Sequence, residues 1–404
     1  MTPAPAGPAP GRRVRSVRRV LATATAAGLL LGGALGGAPV AAAAPGQVAG
    51  STDPAAAEPL PLGDSTTTLG NARDRIDRNR YFRANRTTPS GRLIVGAAMQ
   101  PPGMAHDGFS IQTSRAQNRT CLHNSNFGPS RGGAVIGVSG DALDGCPPEP
   151  GMLVQVQRAD LTDMPRNNEP APALVRVLEV PEVRNLNDLP ATLPPPKTQE
   201  LPTGEQGRVT PGTLTAPASI QSTRSYRLSL DSGTVHVFSV PVDWGQWLQV
   251  QAQIAPSEAV AAVSDQRPQF GIGVLGPDLG EAEETVSTLT GDADTFDAVT
   301  EPVALRAYSR SGSKPFLAGR YLVALWLSPD RLAGPLRVDY TLTTRVGGEV
   351  TGVPDFGGEQ IRGVDSGQLP LRRWIALGVG GLGGGLLVAA GAVWLVNRRR
   401  TPVG

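Results

Sequence analysis

The sequence predicts a mainly β protein: two tandem β-sandwich domains between an N-terminal signal helix and one C-terminal transmembrane helix. Short apolar runs such as Leu93-Ile94-Val95, Leu153-Val154-Gln155-Val156 and Tyr321 to Leu327 are bounded by Gly, Pro, Asp and Asn, as strands are. Leu248 to Ile254 alternates apolar and polar residues at period two, the pattern of a strand with one face in a core. Two long apolar stretches sit near the two ends of the chain. Outside them no long amphipathic helix is written, although Leu69 to Asp77 has room for a short one.

The C-terminal stretch, Trp374 to Val396, carries no charged residue. At 1.5 Å per residue it is long enough to cross a bilayer core of about 30 Å. Arg372 and Arg373 precede it, Arg398 to Arg400 follow it, and Trp374 and Trp394 stand where indoles favour the interface. Its many glycines suit a helix whose backbone must bond internally in lipid. Gly381-x-x-x-Gly385 is a candidate dimerisation face, against the plainer reading of a Gly/Ala-rich helix with no partner.

At the N-terminus a basic region ends at Arg19, an apolar run follows from Val20 to Val40, and Ala41-Ala42-Ala43 offers small residues to a signal peptidase. Residues 1–43 are therefore expected to be a signal peptide, with an uncleaved membrane helix as the alternative. Arg18-Arg19-Val20-Leu21 partly matches a twin-arginine signal, so the sequence leaves the export route open. Export followed by a stop-transfer helix places the body outside the cell membrane and Arg398 to Arg400 inside. The two cysteines, Cys121 and Cys146, both fall in the exported part. One disulfide closing that loop would be worth about 3 kcal/mol; two free thiols are the alternative.

The whole-chain charge of +2 conceals an asymmetry. Five arginines precede the first apolar run and five flank the anchor, which leaves 27 basic residues against all 35 acidic ones in the exported body, a net −8. Nucleic acid is excluded as a partner, because phosphate recognition needs clustered positive charge.

Composition divides the rest. Residues 44–65 read as a disordered Ala/Pro/Gly leader, 66–184 as a first sandwich holding the cysteine loop, and 185–212 as a stiff Pro-rich linker. Residues 213–346 read as a second sandwich, 347–373 as a Gly-rich tether, 374–396 as the membrane span and 397–404 as a cytoplasmic tail.

The two bodies match each other in order. Phe82 followed by Gly91-Arg-Leu-Ile-Val answers to Phe238 followed by Gly245-Gln-Trp-Leu-Gln-Val, and Phe109-Ser-Ile-Gln-Thr to Phe270-Gly-Ile-Gly-Val. Gly151-Met-Leu-Val-Gln-Val answers to Gly319-Arg-Tyr-Leu-Val-Ala, and Leu174 to Val180 to Leu336 to Leu342. Such a series suggests a duplication; chance agreement between strand-rich segments is the alternative.

The second body resembles bacterial pre-peptidase C-terminal domains over residues 213–346, and the first resembles them more loosely over 67–181. The resemblance rests on Val237 to Val240 leading to a Gly245-Gln246 turn, on Ala318-Gly319-Arg320-Tyr321 opening a strand, and on Tyr340-Thr-Leu-Thr closing the unit. The first copy departs from it in its cysteine loop and in Gly151-Met152 where the aromatic would stand. It implies jelly-roll-like sandwiches that serve binding or folding support. The whole layout is similar to exported, membrane-anchored actinobacterial surface proteins.

Signs of catalysis are few. The histidines are His106, His123 and His236, and no GxSxG elbow, HExxH, Walker A or dinucleotide fingerprint occurs. Neither a catalytic set nor a cofactor is expected, apart from a candidate Ca²⁺ site. In the acidic stretch from Asp278 to Glu301, Asp292, Asp294 and Asp297 are the candidate ligands, since a hard cation needs close oxygens. A solvated acidic loop is the default reading there. The arginines from Arg73 to Arg86 are candidates for lipid or wall phosphate, or a salt-bridged surface. Trp244 and Trp247 are candidates for sugar or protein contact, with Trp247 better placed for the core. The expected function is that of a membrane-anchored binding protein facing a protein or wall-polymer partner. An accessory envelope subunit and a hydrolase with a nucleophile hidden in its loops are the alternatives.

Overall fold

Strands form wherever apolar residues alternate or run between turn residues. The computed structural model describes residues 45–101, 107–114, 120–127, 135–141, 151–160, 169–202, 204–307, 314–328 and 334–364. The expected signal peptide (1–43), Cys146, His106, the membrane span (374–396) and the tail lie outside them. Cys121 lies in a strand, but with Cys146 outside the described residues the expected disulfide does too. Among the described residues no helix is long and apolar enough to cross a membrane.

The first ten strands are β1 (Gly46–Gln47), β2 (Glu58–Leu60), β3 (Gly63–Leu69), β4 (Asn79–Asn85), β5 (Arg92–Met99), β6 (Asp107–Ser114), β7 (Thr120–Phe127), β8 (Ile136–Asp141), β9 (Gly151–Asp160) and β10 (Ala171–Val180). They form two sheets, β1-β3-β10-β5-β8 and β2-β4-β9-β6-β7. The next ten are β11 (Glu205–Gly207), β12 (Ala218–Ser219), β13 (Arg224–Asp231), β14 (Val235–Val242), β15 (Trp247–Ile254), β16 (Gln269–Leu275), β17 (Glu281–Thr288), β18 (Asp294–Val299), β19 (Gly319–Leu327) and β20 (Arg337–Gly347). Their sheets are β11-β13-β20-β15-β18 and β12-β14-β19-β16-β17. Strand for strand, the two halves have the same order.

The likeness extends to irregularities. All four matched segments fall on equivalent strands: β4 and β14 with the turn to β5 and β15, then β6 and β16, β9 and β19, β10 and β20. The register of β6 against β7 slips between Thr113 and Ser114, and that of β16 against β17 between Val274 and Leu275. Counted from Phe109 and Phe270, these are the same position.

The leader and linker do more than connect. Residues 44–65, expected to be disordered, place β1 parallel to β3 and β2 parallel to β4. The expected linker does likewise: β11 lies parallel to β13, and β12, just beyond it, parallel to β14. Two- and three-residue strands hold too few side chains to show a period, and backbone hydrogen bonds fix them. Val48 N, for one, donates to Thr66 O at 2.9 Å. Leu69 to Asp77 makes turns and no helix, because the Asp74 and Asp77 carboxylates take the backbone N–H groups of Ile76 and Asn71.

The two sandwiches pack face to face. In the β1-β3-β10-β5-β8 sheet, Val95, Ala97, Val175 and Val177 face the first core. Ile94, Ala98, Leu174 and Leu178 turn the other way and join Leu275, Leu279, Leu322 and Ala324 of the second sandwich in shared apolar clusters. Each such leucine contributes about 1.5–3 kcal/mol on burial. The β16–β17 turn seats itself where Gly96 and Gly137 leave room; a Cβ on Gly96 would stand 1.6 Å from Asp278 O. Arg176 Nη1 donates to Pro277 O at 2.7 Å, while its Nε and Nη2 hold Asp64 at 2.5 and 2.9 Å.

The start of the expected tether also returns to the body. Asp355 N donates to Asn185 Oδ1 at 2.8 Å, and Arg362 pairs with Glu179 through both backbone groups.

Candidate functional site

The outer face of the β11-β13-β20-β15-β18 sheet is polar because alternation sends Leu248, Val250, Ala252, Tyr340 and Leu342 inward. Gln249, Gln251, Gln253, Thr341, Thr343 and Arg345 are left pointing out. Register arranges these side chains in rows across the strands. Ser225, Thr343, Gln251 and Asp297 are one row, and Arg227, Thr341, Gln253 and Thr295 the next.

The first row is satisfied and covered. Ser225 Oγ and Thr343 Oγ1 lie 2.9 Å apart, and Gln251 Nε2 donates to Asp297 Oδ1 at 3.0 Å. The chain lies over this region: Gln249 Nε2 donates to Gln199 O at 2.7 Å, and Gly204 N to Ser225 Oγ at 2.8 Å. Leu201, between those two contacts, is buried.

The second row is open. It lines a groove of about 820 Å³, with Ser229, Asp339, Ala255, Ala293 and Asp294 along the sheet end. That volume is in the range of small-molecule sites, about 300–1,000 Å³. Ser229 Oγ donates to Asp339 Oδ1, and Gln253 Nε2 to Gln251 Oε1 at 3.3 Å. The groove thus offers a guanidinium, hydroxyls, an amide oxygen and the Asp339 carboxylate.

The candidate metal ligands do not converge. Asp292 lies in the exposed turn before β18, near Thr290 Oγ1. Asp294 and Asp297, three apart in a strand, point to opposite faces. Asp294 Oδ1 caps Thr295 N at 2.8 Å, and Asp297 accepts from Gln249 and Gln251. Among the described residues, no three His, Cys, Asp or Glu side chains stand close enough to hold a metal ion.

Trp244 and Trp247, weighed as contact residues, are both buried, and Arg345 covers the Trp247 ring at 5.8 Å. His123 is exposed on β7. His236 Nδ1 lies 2.7 Å from the Tyr340 hydroxyl, and burial pushes the imidazole below its usual range against the opposing charge of Asp231. On β17, desolvation with the charges of Glu281 and Glu283 pushes Glu284 up to about 7. In the arginine run, Arg80 pairs with Asp77 at 3.2 Å, a structural contact. The groove row was invisible to sequence reading because its members lie on four separate strands. The glutamines of β15 were its one linear trace.

The fold defines a two-sandwich β protein whose second sandwich carries a polar, grooved outer face. No family model matches the chain, and no curated protein matches it. Similar solved structures include the tandem CBM22 domains at the N-terminus of Xyn10C from Paenibacillus barcinonensis, 13% identical, covering 65% of this chain and 80% of that one at a TM-score of 0.20. The CUB1-EGF-CUB2 domains of rat MASP-1 are 11% identical, covering 71% and 99% at 0.18. The extracellular domain of ANXUR2 from Arabidopsis thaliana is 10% identical, covering 70% and 88% at 0.18. At these scores none of them bears on what this chain does.

Proposed function

We propose that the chain is a cell-surface binding protein: an exported two-sandwich body tied to the cell membrane by residues 374–396. It works by contact with a partner protein or wall polymer and not by catalysis. The observation that carries this reading is the division of faces. Equivalent sheets in the two halves have opposite outer surfaces: Ile94, Ala98, Leu174 and Leu178 against Gln249, Gln251, Gln253, Thr341 and Thr343. The apolar face is consumed in joining the sandwiches, and the polar one, with its groove, is left for something else.

The shared strand order and the matched bulges support jelly-roll sandwiches arising by duplication, in keeping with the resemblance to pre-peptidase C-terminal domains. The docking of Arg362 on Glu179 supports a short leash. The nine residues from 365 to 373 reach about 32 Å at most, so the body would stay close to the membrane. An accessory spacer would instead show a flat apolar patch. Among the described residues three large apolar side chains are exposed, Ile76, Leu186 and Val350, a small set for such a patch.

The test is protease treatment of whole cells, with one epitope in the body just after residue 43 and one at the C-terminal end, followed by cross-linking and co-purification from solubilised membranes. The reading expects loss of the body, protection of the C-terminal epitope and a reproducible cross-linked partner or wall fragment. A protected body, or a chain released by alkaline carbonate, would overturn it.

A further inference from the structure

We propose that the open row on the outer face of the second sandwich binds an uncharged, polyhydroxylated polymer, a glycan without carboxylate or phosphate groups. This rests on the reading of the chain as a binding protein. Arg227, Thr341, Gln253 and Thr295 stand side by side across four strands, spaced about 4.8 Å apart in the hydrogen-bonding direction. They give a straight track of donors and acceptors about 14 Å long, suited to the repeated hydroxyls of an extended chain.

Charge selects against the anionic alternatives. The guanidinium of the row, Arg227, shares its face with the Asp339 carboxylate, so a phosphate- or uronate-bearing polymer finds no net positive charge to hold it. Apolar content selects against a peptide. The chain's own segment across the neighbouring row is seated by buried Leu201. The open row has no pocket for such an anchor: Leu228, Ile254 and Tyr340 turn their side chains inward, and only Ala255 and Ala293 are apolar beside it. That same segment shows that this face accepts an extended chain laid across its strands, through Gln249 and Ser225. The equivalent face of the first sandwich is also a recognition face, with the second sandwich as its occupant.

The experiment uses the full chain in detergent micelles, with affinity electrophoresis against dextran, amylose, chito-oligosaccharides, polygalacturonate and a poly(glycerol phosphate). At least one neutral polymer should retard the chain, with little salt dependence. Thr341→Val and Gln253→Leu should each weaken that binding tenfold or more, while Arg83→Gln on the first sandwich leaves it unchanged. Hydrogen exchange on the unaltered chain gives a second reading: the neutral polymer should protect β13, β20 and β15 before other strands. Preference for the anionic polymers, unchanged binding in both variants, or protection elsewhere would overturn the proposal. So would binding of none of the probes. If the cross-linking described above still captures a partner, the binding role survives and only this ligand class is lost.

Discussion

Glu179, at the end of β10, and Arg362, near the C-terminal end of the described residues, exchange both backbone hydrogen bonds at 3.0 and 2.9 Å. Their side chains meet as well: an Arg362 nitrogen stands 3.7 Å from the carboxylate of Glu179, which is 1% exposed. Thr87 and Thr88 give that carboxylate their backbone N–H groups at 3.0 and 2.8 Å, and their hydroxyls besides. The return of the chain onto the first sandwich is therefore fastened at a buried, fully ligated charge.

Glu179→Gln should be costly for that reason. Burial alone would push the Glu179 carboxyl up, but the Thr87 and Thr88 hydrogen bonds outweigh it and hold the group below its usual range. A depressed carboxyl stabilises the fold above its unfolded value and loses that contribution as pH falls through the folded one. Glu179→Gln should thus lose about 1.5–3 kcal/mol near neutral pH, the worth of hydrogen bonds to a charged group. Denaturant titrations at pH 7 and pH 3 should show the gap closing in acid. Arg362→Ala, losing a half-exposed partner, should cost about 0–1 kcal/mol.

Gly96 tests the junction between the sandwiches. Its missing side chain leaves space for the backbone carbonyl of Asp278, which cannot swing aside as a flexible side chain would. Gly96→Val should cost about 1–3 kcal/mol or more by overpacking. Each sandwich has its own core, so the loss should appear in calorimetry as one thermal transition dividing into two. Gly334→Ala, with nothing within 4 Å of the added methyl, should change stability by less than about 0.5 kcal/mol. A single unshifted transition in Gly96→Val would mean that the turn is not seated there.

How legible this architecture was depended on the number of side chains each element shows. The alternation of Leu248 to Ile254 marked a strand with one face in a core, and β15 is that strand, although the chain also covers Gln249 and Gln251 on its other face. Tyr321 to Leu327 was legible as a strand, but its unbroken apolar run also said that both faces are buried, the signature of an inner sheet. The same holds for Ala171 to Val180, apolar almost throughout, so face-to-face packing was written in the chain at the strands that lack alternation. The short parallel strands at Gly46 and Glu58 were not legible, because backbone pairing leaves no pattern in residue types. Nor was the groove: Arg227, Thr295 and Thr341 become neighbours only through register. The grouping of Asp292, Asp294 and Asp297 failed on parity, an odd spacing in a strand sending side chains to opposite sides.

His236 and Tyr340 give the fold a dependence on mild acid. The imidazole is partly buried beside Phe238 and Tyr340, with ring centroids 6.4 and 6.0 Å away, and its Nδ1 is 2.7 Å from the Tyr340 hydroxyl. Burial lowers its proton affinity in the folded chain, so unfolding takes up a proton once the pH drops below the ordinary histidine value of about 6.5. Stability is then fully present above that value and declines as pH falls from there toward the folded value. His236→Gln should remove the decline between about pH 6.5 and 5, since nothing that titrates there remains at the site. Tyr340→Phe should leave the imidazole nitrogen without its partner, costing about 1 kcal/mol at pH 7.5. Urea midpoints measured every half unit decide the matter as the difference between parent and His236→Gln, because Glu284, pushed up to about 7, titrates in both; an identical slope in the two would place the acid-sensitive group elsewhere.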